Sequence, residues 1–333
     1  MEQASARAAG ETPYARLTPD LVIQAIERAG FVPDGRILAL NSYENRVYQV
    51  GLEEATPVVV KFYRPGRWTR AAILEEHAFA LELAAAEIPV VAPLVLSGAT
   101  LLEADGYPYA VYPRRGGRWP DLDSADDRAL MGRFLGRLHR VGGAGRFAHR
   151  PALDIEAMAV KSAQFVLAGN WLPDYQVDRY AEVVEALIGR IHQAFEAAGP
   201  VRRLRIHGDC HRGNILWTEQ GPHFVDLDDC MTAPAIQDLW MLLAGSREEM
   251  RRQMTDILEG YEQFSEFDRV ELGLIEALRA LRMIHYAAWL ARRWHDPAFP
   301  KAFPWFAGPR YWDDHVRQLA EQLEALAEPP LRL

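Results

Sequence analysis

The residues best equipped for chemistry lie in one stretch: His207-Gly208-Asp209-Cys210-His211-Arg212-Gly213-Asn214, then Ile215-Leu216-Trp217, a turn at 218–222, and His223-Phe224-Val225-Asp226. Two apolar triplets around a turn containing Gly and Pro predict an antiparallel hairpin centred on Gln220. In such a hairpin, residues whose numbers sum to 440 face one another, which sets Asn214 opposite Asp226. An amide oxygen and a carboxylate brought together are hard ligands suited to Mg²⁺. That ion takes one or two protein oxygens and leaves its other positions to water and substrate phosphates.

Asp209 precedes Asn214 by five residues, on the loop that feeds the hairpin. This is the spacing H-x-D-x-x-x-x-N of phosphoryl-transfer loops, in which the Asp takes the proton of an attacking hydroxyl and the Asn holds a metal. Positive charge for nucleotide phosphates is available from Lys61, in the apolar run Val58-Val59-Val60-Lys61-Phe62. Such a lysine is held by an acid of the following helix. Glu75 and Glu76 both qualify, and Glu76 shares a helical stripe with Ile73, Ala80 and Leu83, so Glu76 is selected. A phosphate-covering loop would be Asn41-Ser42-Tyr43-Glu44-Asn45-Arg46, polar where glycines are usual.

Each of these residues also has a plainer reading. His207 suits a role in fixing the loop better than metal ligation. The run His207, Asp209, His211 would fit a dinuclear metallohydrolase, but that reading explains neither Lys61 nor the pairing of Asn214 with Asp226. Lys61 could be a solvated edge-strand lysine, a reading three preceding valines oppose. Glu75 reads as an exposed helix charge, Cys210 as a small loop residue, and the basic run 114–118 as a solvated turn. The aromatics Trp289, Trp294, Phe299, Phe303, Trp305, Phe306, Tyr311 and Trp312 read as packing rather than a substrate groove.

The elements that must position these groups change character along the chain. Residues 1–17 read as a mobile tail, and 18–29 as a helix capped by Thr18. Residues 46–50 and 58–63 predict a hairpin whose partners sum to about 108, setting Lys61 opposite Val47. A helix over 69–86 and short strands near Leu101 and 109–112 complete a strand-rich part. Helices follow at 125–139, 173–198, 237–243, 246–264 and 270–294. The expected fold is α+β: a bilobal, protein-kinase-like arrangement with a small β-rich N-lobe over 18–112 and a larger, mainly helical C-lobe over 113–333.

Composition bounds the rest. At 333 residues, with 49% hydrophobic and 25% charged residues, the chain is an ordinary globular one. Thirty-seven basic against 46 acidic residues give a net charge of −9, which disfavours nucleic acid as a partner. Two cysteines in neither a redox nor a zinc spacing, no leader-like apolar segment and no run long enough to span a membrane lead to a cytoplasmic expectation.

These residues resemble the aminoglycoside-phosphotransferase and choline-kinase-like superfamily, whose signature is H-G-D-x-H-x-G-N, a short hairpin and D-x-D. More narrowly, the chain is similar to a bacterial serine/threonine protein kinase branch of it. The likeness runs through L-N-S-Y-E-N-R-V-Y-Q from Leu40, V-V-K-F-Y-R-P from Val59, I-L-E-E-H from Ile73, H-G-D-C-H-R-G-N-I-L-W from His207, P-A-I-Q-D-L-W-M-L-L from Pro234 and D-P-A-F-P-K from Asp296. The resemblance implies ATP and Mg²⁺, Asp209 and Asp226 as catalytic residues with Asp209 the proton acceptor, and Asn214 and Asp226 as metal ligands. It places Ser42, Asn45, Lys61 and Glu76 at the nucleotide and implies a protein Ser/Thr acceptor, autophosphorylation, a monomer and a role in stress protection. For Asp238 it offers backbone hydrogen bonds from the catalytic loop, beside the plain reading of a helix-terminal acid. Asp226-Leu227-Asp228 replaces D-F-G, no A-P-E follows, and the short path to Asp238 leaves no long activation loop. A small-molecule kinase of the same fold and an ATP-binding pseudokinase are the alternatives.

Overall fold

The computed structural model describes residues 12–333. It divides into two compact units. The first comprises the described residues up to Leu74, then Ala92–Arg114 and Arg293–Pro304; the second comprises Glu75–Val91, Arg115–Arg292 and Trp305–Leu333.

The first unit opens with helix α1 (Pro19–Arg28), where the Thr18 side chain accepts from the Leu21 amide at 3.3 Å. A five-stranded antiparallel sheet follows, built from β1 (Pro33–Ala39), β2 (Arg46–Leu52), β3 (Ala55–Phe62), β4 (Leu102–Ala104) and β5 (Tyr107–Pro113), in the order β1-β2-β3-β5-β4. Helix α2 (Arg70–Ala85) leaves β3, starts in this unit and continues into the second. Val47 pairs with Lys61 as the sequence predicts. Strand β1 carries no clear alternation, because Pro33 and Gly35 interrupt it and its pairing with β2 is irregular between Pro33 and Ile37. Leu21, Val22, Ala25 and Ile26 of α1 pack with Val50, Val60, Phe62, Tyr109 and Val111 of the sheet. Of the segment expected to be a tail, residues 1–11 lie outside the described residues. Tyr14 stacks on Tyr107 at 5.9 Å, and its hydroxyl donates to the Glu44 carbonyl at 3.2 Å.

The second unit is mainly helical: α3 (Ala125–Gly142), α4 (Lys161–Ala168), α5 (Asp174–Ala198), then strands β6 (Leu204–Ile206), β7 (Ile215–Thr218), β8 (Gly221–Phe224) and β9 (Met231–Ala233), then α6 (Ile236–Trp240), α7 (Arg247–Tyr261) and α8 (Ile275–Arg293). Ser124 caps α3, and Ser246 with Glu249 forms a capping box on α7. Helices α3 and α7 cross backbone to backbone: a Cβ on Gly132 would lie 1.8 Å from the Ile257 carbonyl oxygen, and one on Gly260 1.8 Å from that of Ala129. The helix expected over 270–294 begins instead with a 3₁₀ segment, Arg269–Leu274.

The chain then returns to the first unit with residues 293–304, which contain the short helix α9 (Ala298–Ala302). Asp296 is 2% exposed and accepts from Arg46 Nη2 at 2.9 and 3.0 Å, Arg64 Nη1 at 2.9 Å and the Ala298 amide at 3.1 Å. Phe303 meets Tyr43 edge-on at 4.8 Å. The last helix, α10 (Pro309–Ala327), belongs to the second unit, packs on α5 and buries Trp312, Val316 and Leu319. Phe299, Phe306 and Trp312 are fully buried, in keeping with the packing reading for those three, whereas Trp305 is 46% exposed.

Candidate active site

The loop 207–214 leaves β6 and is held from beneath by Asp238 on α6. Asp238 Oδ2 accepts the His207 amide at 2.9 Å and Oδ1 accepts that of Gly208 at 2.8 Å. His139 Nε2 lies 3.0 Å from Asp238 Oδ2, and its Nδ1 lies 2.9 Å from the Tyr261 hydroxyl. Asp238 therefore anchors the loop as well as standing in the first turn of its helix. Gly208 has φ +85, and a Cβ there would lie 2.1 Å from the Asp229 carbonyl oxygen, so the loop can approach that turn only without a side chain. His207 Nδ1 accepts the Asp209 amide at 3.4 Å, which leaves Nε2 to donate to the Val225 carbonyl at 2.9 Å. Both ring nitrogens are thus used in shaping the loop, and no group of three or more His, Cys, Asp or Glu side chains gathers as a metal site among the described residues.

Asp209 and Asn214 are brought into contact. Asn214 Nδ2 donates to the Asp209 carbonyl at 2.9 Å and to its Oδ2 at 3.3 Å. His211 Nδ1 accepts from the Gly213 amide, so Nε2 carries the proton and faces Asp209 Oδ2 at 3.4 Å. Arg282, on α8, donates to Asp209 Oδ1 at 2.5 Å. Burial favours the neutral acid, but hydrogen bonding from His211 and the charge of Arg282 outweigh it and hold the carboxyl well below the usual carboxylate range. Asn214 spends its NH₂ on Asp209, so its side-chain oxygen is the group left to serve a cation.

The hairpin register differs from the expected one by a single residue. Ile215 pairs with Phe224 and Thr218 with Gly221, so partners sum to 439 rather than 440. The turn is two residues, Glu219 and Gln220, and is centred between them. Val225, not Asp226, stands opposite Asn214, with its amide donating to the Asn214 carbonyl at 3.0 Å. Asp226 follows in left-handed conformation, φ 59, where the 3₁₀ turn Leu227–Asp229 begins. The strand ends there, so alternation no longer dictates which way its side chain faces. Arg150 braces this turn, donating from Nε to the Cys230 carbonyl at 3.0 Å and from Nη2 to that of Asp228 at 2.5 Å.

Glu75 is not the plain exposed charge its helix position implied. It accepts the amides of Ala148, His149 and Arg150 at 2.6–2.8 Å. Partial burial works against ionisation there, yet the three donated N–H groups win and lower its pKa. Cys210 and Cys230 are free and fully buried, with burial the main cause raising both thiols, so neither is a reactive nucleophile.

Glu76 is 3% exposed on α2, and Lys61 is 6% exposed on β3. Lys61 lies between β2 and β5, with Nζ 4.8 Å from the Tyr63 ring, which rules out a solvated edge position. The loop 41–46 is held by side chains where glycines would otherwise shape it. Ser42 Oγ donates to the Asn45 carbonyl at 3.3 Å, Asn45 Oδ1 accepts the Arg64 amide at 3.1 Å, and Arg46 Nη1 donates to the Tyr43 carbonyl at 3.0 Å. Lys61, Ser42 and Asn45 belong to the first unit; Glu76, Asp209, Asn214 and Asp226 belong to the second. Arg282, Arg150 and the anchoring role of Asp296 were not foreseen. Asp296 stands in a quoted motif, but nothing in the sequence joins it to Arg46 and Arg64.

Comparison with known proteins fits this loop. The profile of the Phosphotransferase enzyme family matches residues 36–275. Stress response kinase A of Escherichia coli (strain K12) is 46% identical over 96% of this chain and 97% of its own length. Serine/threonine protein kinase RdoA of Salmonella typhimurium (strain LT2) shows the same identity and coverage. Among solved structures, the amicoumacin kinase hAmiN in complex with AMP-PNP, Ca²⁺ and Ami superposes with a TM-score of 0.71 at 18% identity, covering 94% of both chains. A microcompartment-associated aminopropanol kinase gives 0.69 at 20% identity, covering 94% of this chain and 99% of that one. These two likenesses concern the fold, an α+β one with a sheet-bearing smaller unit and a helical larger one. With the anchored H-G-D-C-H-R-G-N loop, the profile match over most of the chain and the near full-length relatives, the chain belongs to the phosphotransferase enzyme family.

Proposed function

We propose that this chain is an ATP-dependent serine/threonine protein kinase that autophosphorylates and serves the bacterial stress response. The observation that carries the reading is Asp209, kept anionic and in contact with Asn214 on a loop pinned by Asp238. The near full-length relative named a serine/threonine protein kinase supports the acceptor class, and the one named a stress response kinase supports the physiological role.

Asp209 orients the acceptor hydroxyl through a hydrogen bond and takes its proton as the bond to phosphorus forms. The loop keeps that carboxylate in place before substrate arrives, so little reorganisation is needed. Lys61 supplies positive charge to the nucleotide phosphates. Glu76 belongs to the same nucleotide-binding set, with Ser42 beside the phosphates and Asn45 shaping the loop that covers them. Mg²⁺, held by Asn214 and Asp226, would neutralise phosphate charge when bound; their all-oxygen donor set fits a hard cation. The protein acts as a cytoplasmic monomer. No helix among the described residues is long and apolar enough to cross a membrane.

The test is incubation with γ-labelled ATP and Mg²⁺, alone and with panels of proteins and small alcohols. Labelled protein, including the kinase itself, is expected. Label confined to small alcohols would favour a small-molecule kinase, and no label anywhere a pseudokinase. Asp209→Ala should lower transfer by about 10²–10⁴-fold and keep Mg-ATP binding. Asp226→Ala should lose the thermal stabilisation by Mg-ATP, worth about 2.7 kcal/mol at a ligand concentration of 100 Kd. Full transfer by Asp209→Ala would remove Asp209 from the mechanism.

A further inference from the structure

We propose that Arg282 determines acceptor specificity, selecting hydroxyls with a carboxylate or phosphate close by; the inference rests on the protein-kinase reading above. An acceptor hydroxyl competes for the Asp209 carboxylate with the partners already there. Asn214 is poorly placed to leave. It holds the Asp209 carbonyl as well as Oδ2, its amide donates to the His211 carbonyl at 2.9 Å, and its own carbonyl accepts from Val225.

Arg282 is differently placed. It projects from α8, its side chain is 41% exposed, and Asp209 Oδ1 is its one described partner. A guanidinium carries five N–H donors in a planar fork, so four remain for solvent or substrate. An incoming carboxylate or phosphate can engage two of them in parallel while Oδ1 turns to the hydroxyl. The exchange replaces one ion pair by another. A neutral acceptor would break the pair without replacing it, and a cationic one would also meet the guanidinium as a like charge.

The surroundings point the same way. His211 faces the other carboxylate oxygen, and Arg212 follows in the same loop. Asp238, the nearest acid on α6, is fully buried and occupied with backbone amides and His139. Tyr286, one turn beyond Arg282, is 37% exposed and stacks on Trp289 at 5.6 Å. Residues 282, 286 and 289 share a face of α8, giving a strip along which an extended acceptor could lie beyond its anionic group.

The experiment uses the full chain, γ-labelled ATP, Mg²⁺ and arrayed Ser/Thr peptides whose flanking positions are Glu, Ala or Lys. The wild type is expected to label Glu-flanked peptides about tenfold faster than Ala-flanked ones, a difference of about 1.4 kcal/mol, with Lys-flanked peptides slowest. Arg282→Ala should bring the Glu-to-Ala ratio towards one, mainly by raising KM for the Glu-flanked peptide. Arg282→Lys should keep the acidic preference, and Arg282→Glu should reverse it. Should Arg282→Glu fail to fold, Arg282→Gln keeps the stem without the charge and should abolish the preference. A wild type that labels itself or peptides with no acidic preference, or an Arg282→Glu or Arg282→Gln variant that keeps the wild-type ratio, overturns the inference and leaves the kinase reading standing. A wild type that labels neither itself nor any peptide removes both.

Discussion

Both oxygens of the Asp209 carboxylate accept from donors that favour its charged form, Arg282 on one and His211 with Asn214 on the other. Its pKa is depressed, so the ionised form persists as pH falls through the usual carboxylate range. Removing a neighbouring cation raises that pKa. Arg282→Ala should therefore move the acid limb of the kcat/KM profile to higher pH; an unmoved limb would assign it to another group. The contact of Asp209 with Asn214 was legible because the two fall within one short run; the expected facing of Asn214 and Asp226 was not met, because Val225 stands there instead. Arg282 was not, because it stands 73 residues away from Asp209 and nothing in its local sequence sets it apart from the other arginines of its helix. Glu75 was misread for a similar reason: helix periodicity tells which side of α2 a residue occupies, not which backbone amides come to meet it.

Among elements, the two hairpins show what counting can and cannot do. Arg46–Val50 pairs as predicted, and the mismatch at the turn is absorbed by a register shift between Val50 and Leu52. The β7–β8 hairpin has no such shift, so its one-residue offset persists to Val225. Helices were legible where periodicity ran for several turns, as at α1, α3, α5 and α7, whereas the pair β6–β9 was hidden by strands of three residues each. Glu271, in the 3₁₀ turn before α8, accepts the Ile236 amide at 2.9 Å and so ties that turn to the helix carrying Asp238. Burial is the main cause pushing its pKa up to about 7, opposed by that amide. The folded state then holds a proton that the unfolded chain has lost, so stability is highest below the ordinary glutamate pKa and falls as pH rises towards 7. Glu271→Gln should flatten this slope, seen as a smaller drop in Tm between pH 5 and pH 8 (roughly 2 °C or more of difference). Asp296→Ala belongs to the same scale. It leaves Arg46 and Arg64 without their buried carboxylate, a loss of about 3–5 kcal/mol, measurable as a lowered unfolding midpoint.

Across the whole molecule the chain does not pass from one unit to the other once and stay there. Residues 293–304 return to the first unit after the helices of the second have been built, and the second unit then resumes with α10. Such a return leaves no mark in composition or periodicity, because Asp296 and Arg46 are 250 residues apart in sequence. The ion cluster at the return is substantial: Asp296 takes Arg46 and Arg64, while Glu44 lies 3.7 Å from both Arg64 and Arg67 and also meets Arg293. A fragment of residues 12–114, which carries residues 75–91 of the second unit with it, would keep Glu44 and three of these arginines but lose Asp296. Arg64 would then be a nearly buried cation short of its closest carboxylate, a condition that opposes folding. Such a fragment should melt without a cooperative transition, whereas the same fragment carrying 293–304 through a flexible Gly-Ser linker should regain one by circular dichroism. Asp296→Ala in the linked fragment should abolish the gain, which separates the carboxylate from the apolar contribution of Phe299 and Phe303. Cooperative melting of the bare fragment at the temperature of the linked one would show that the returning segment is dispensable to the first unit.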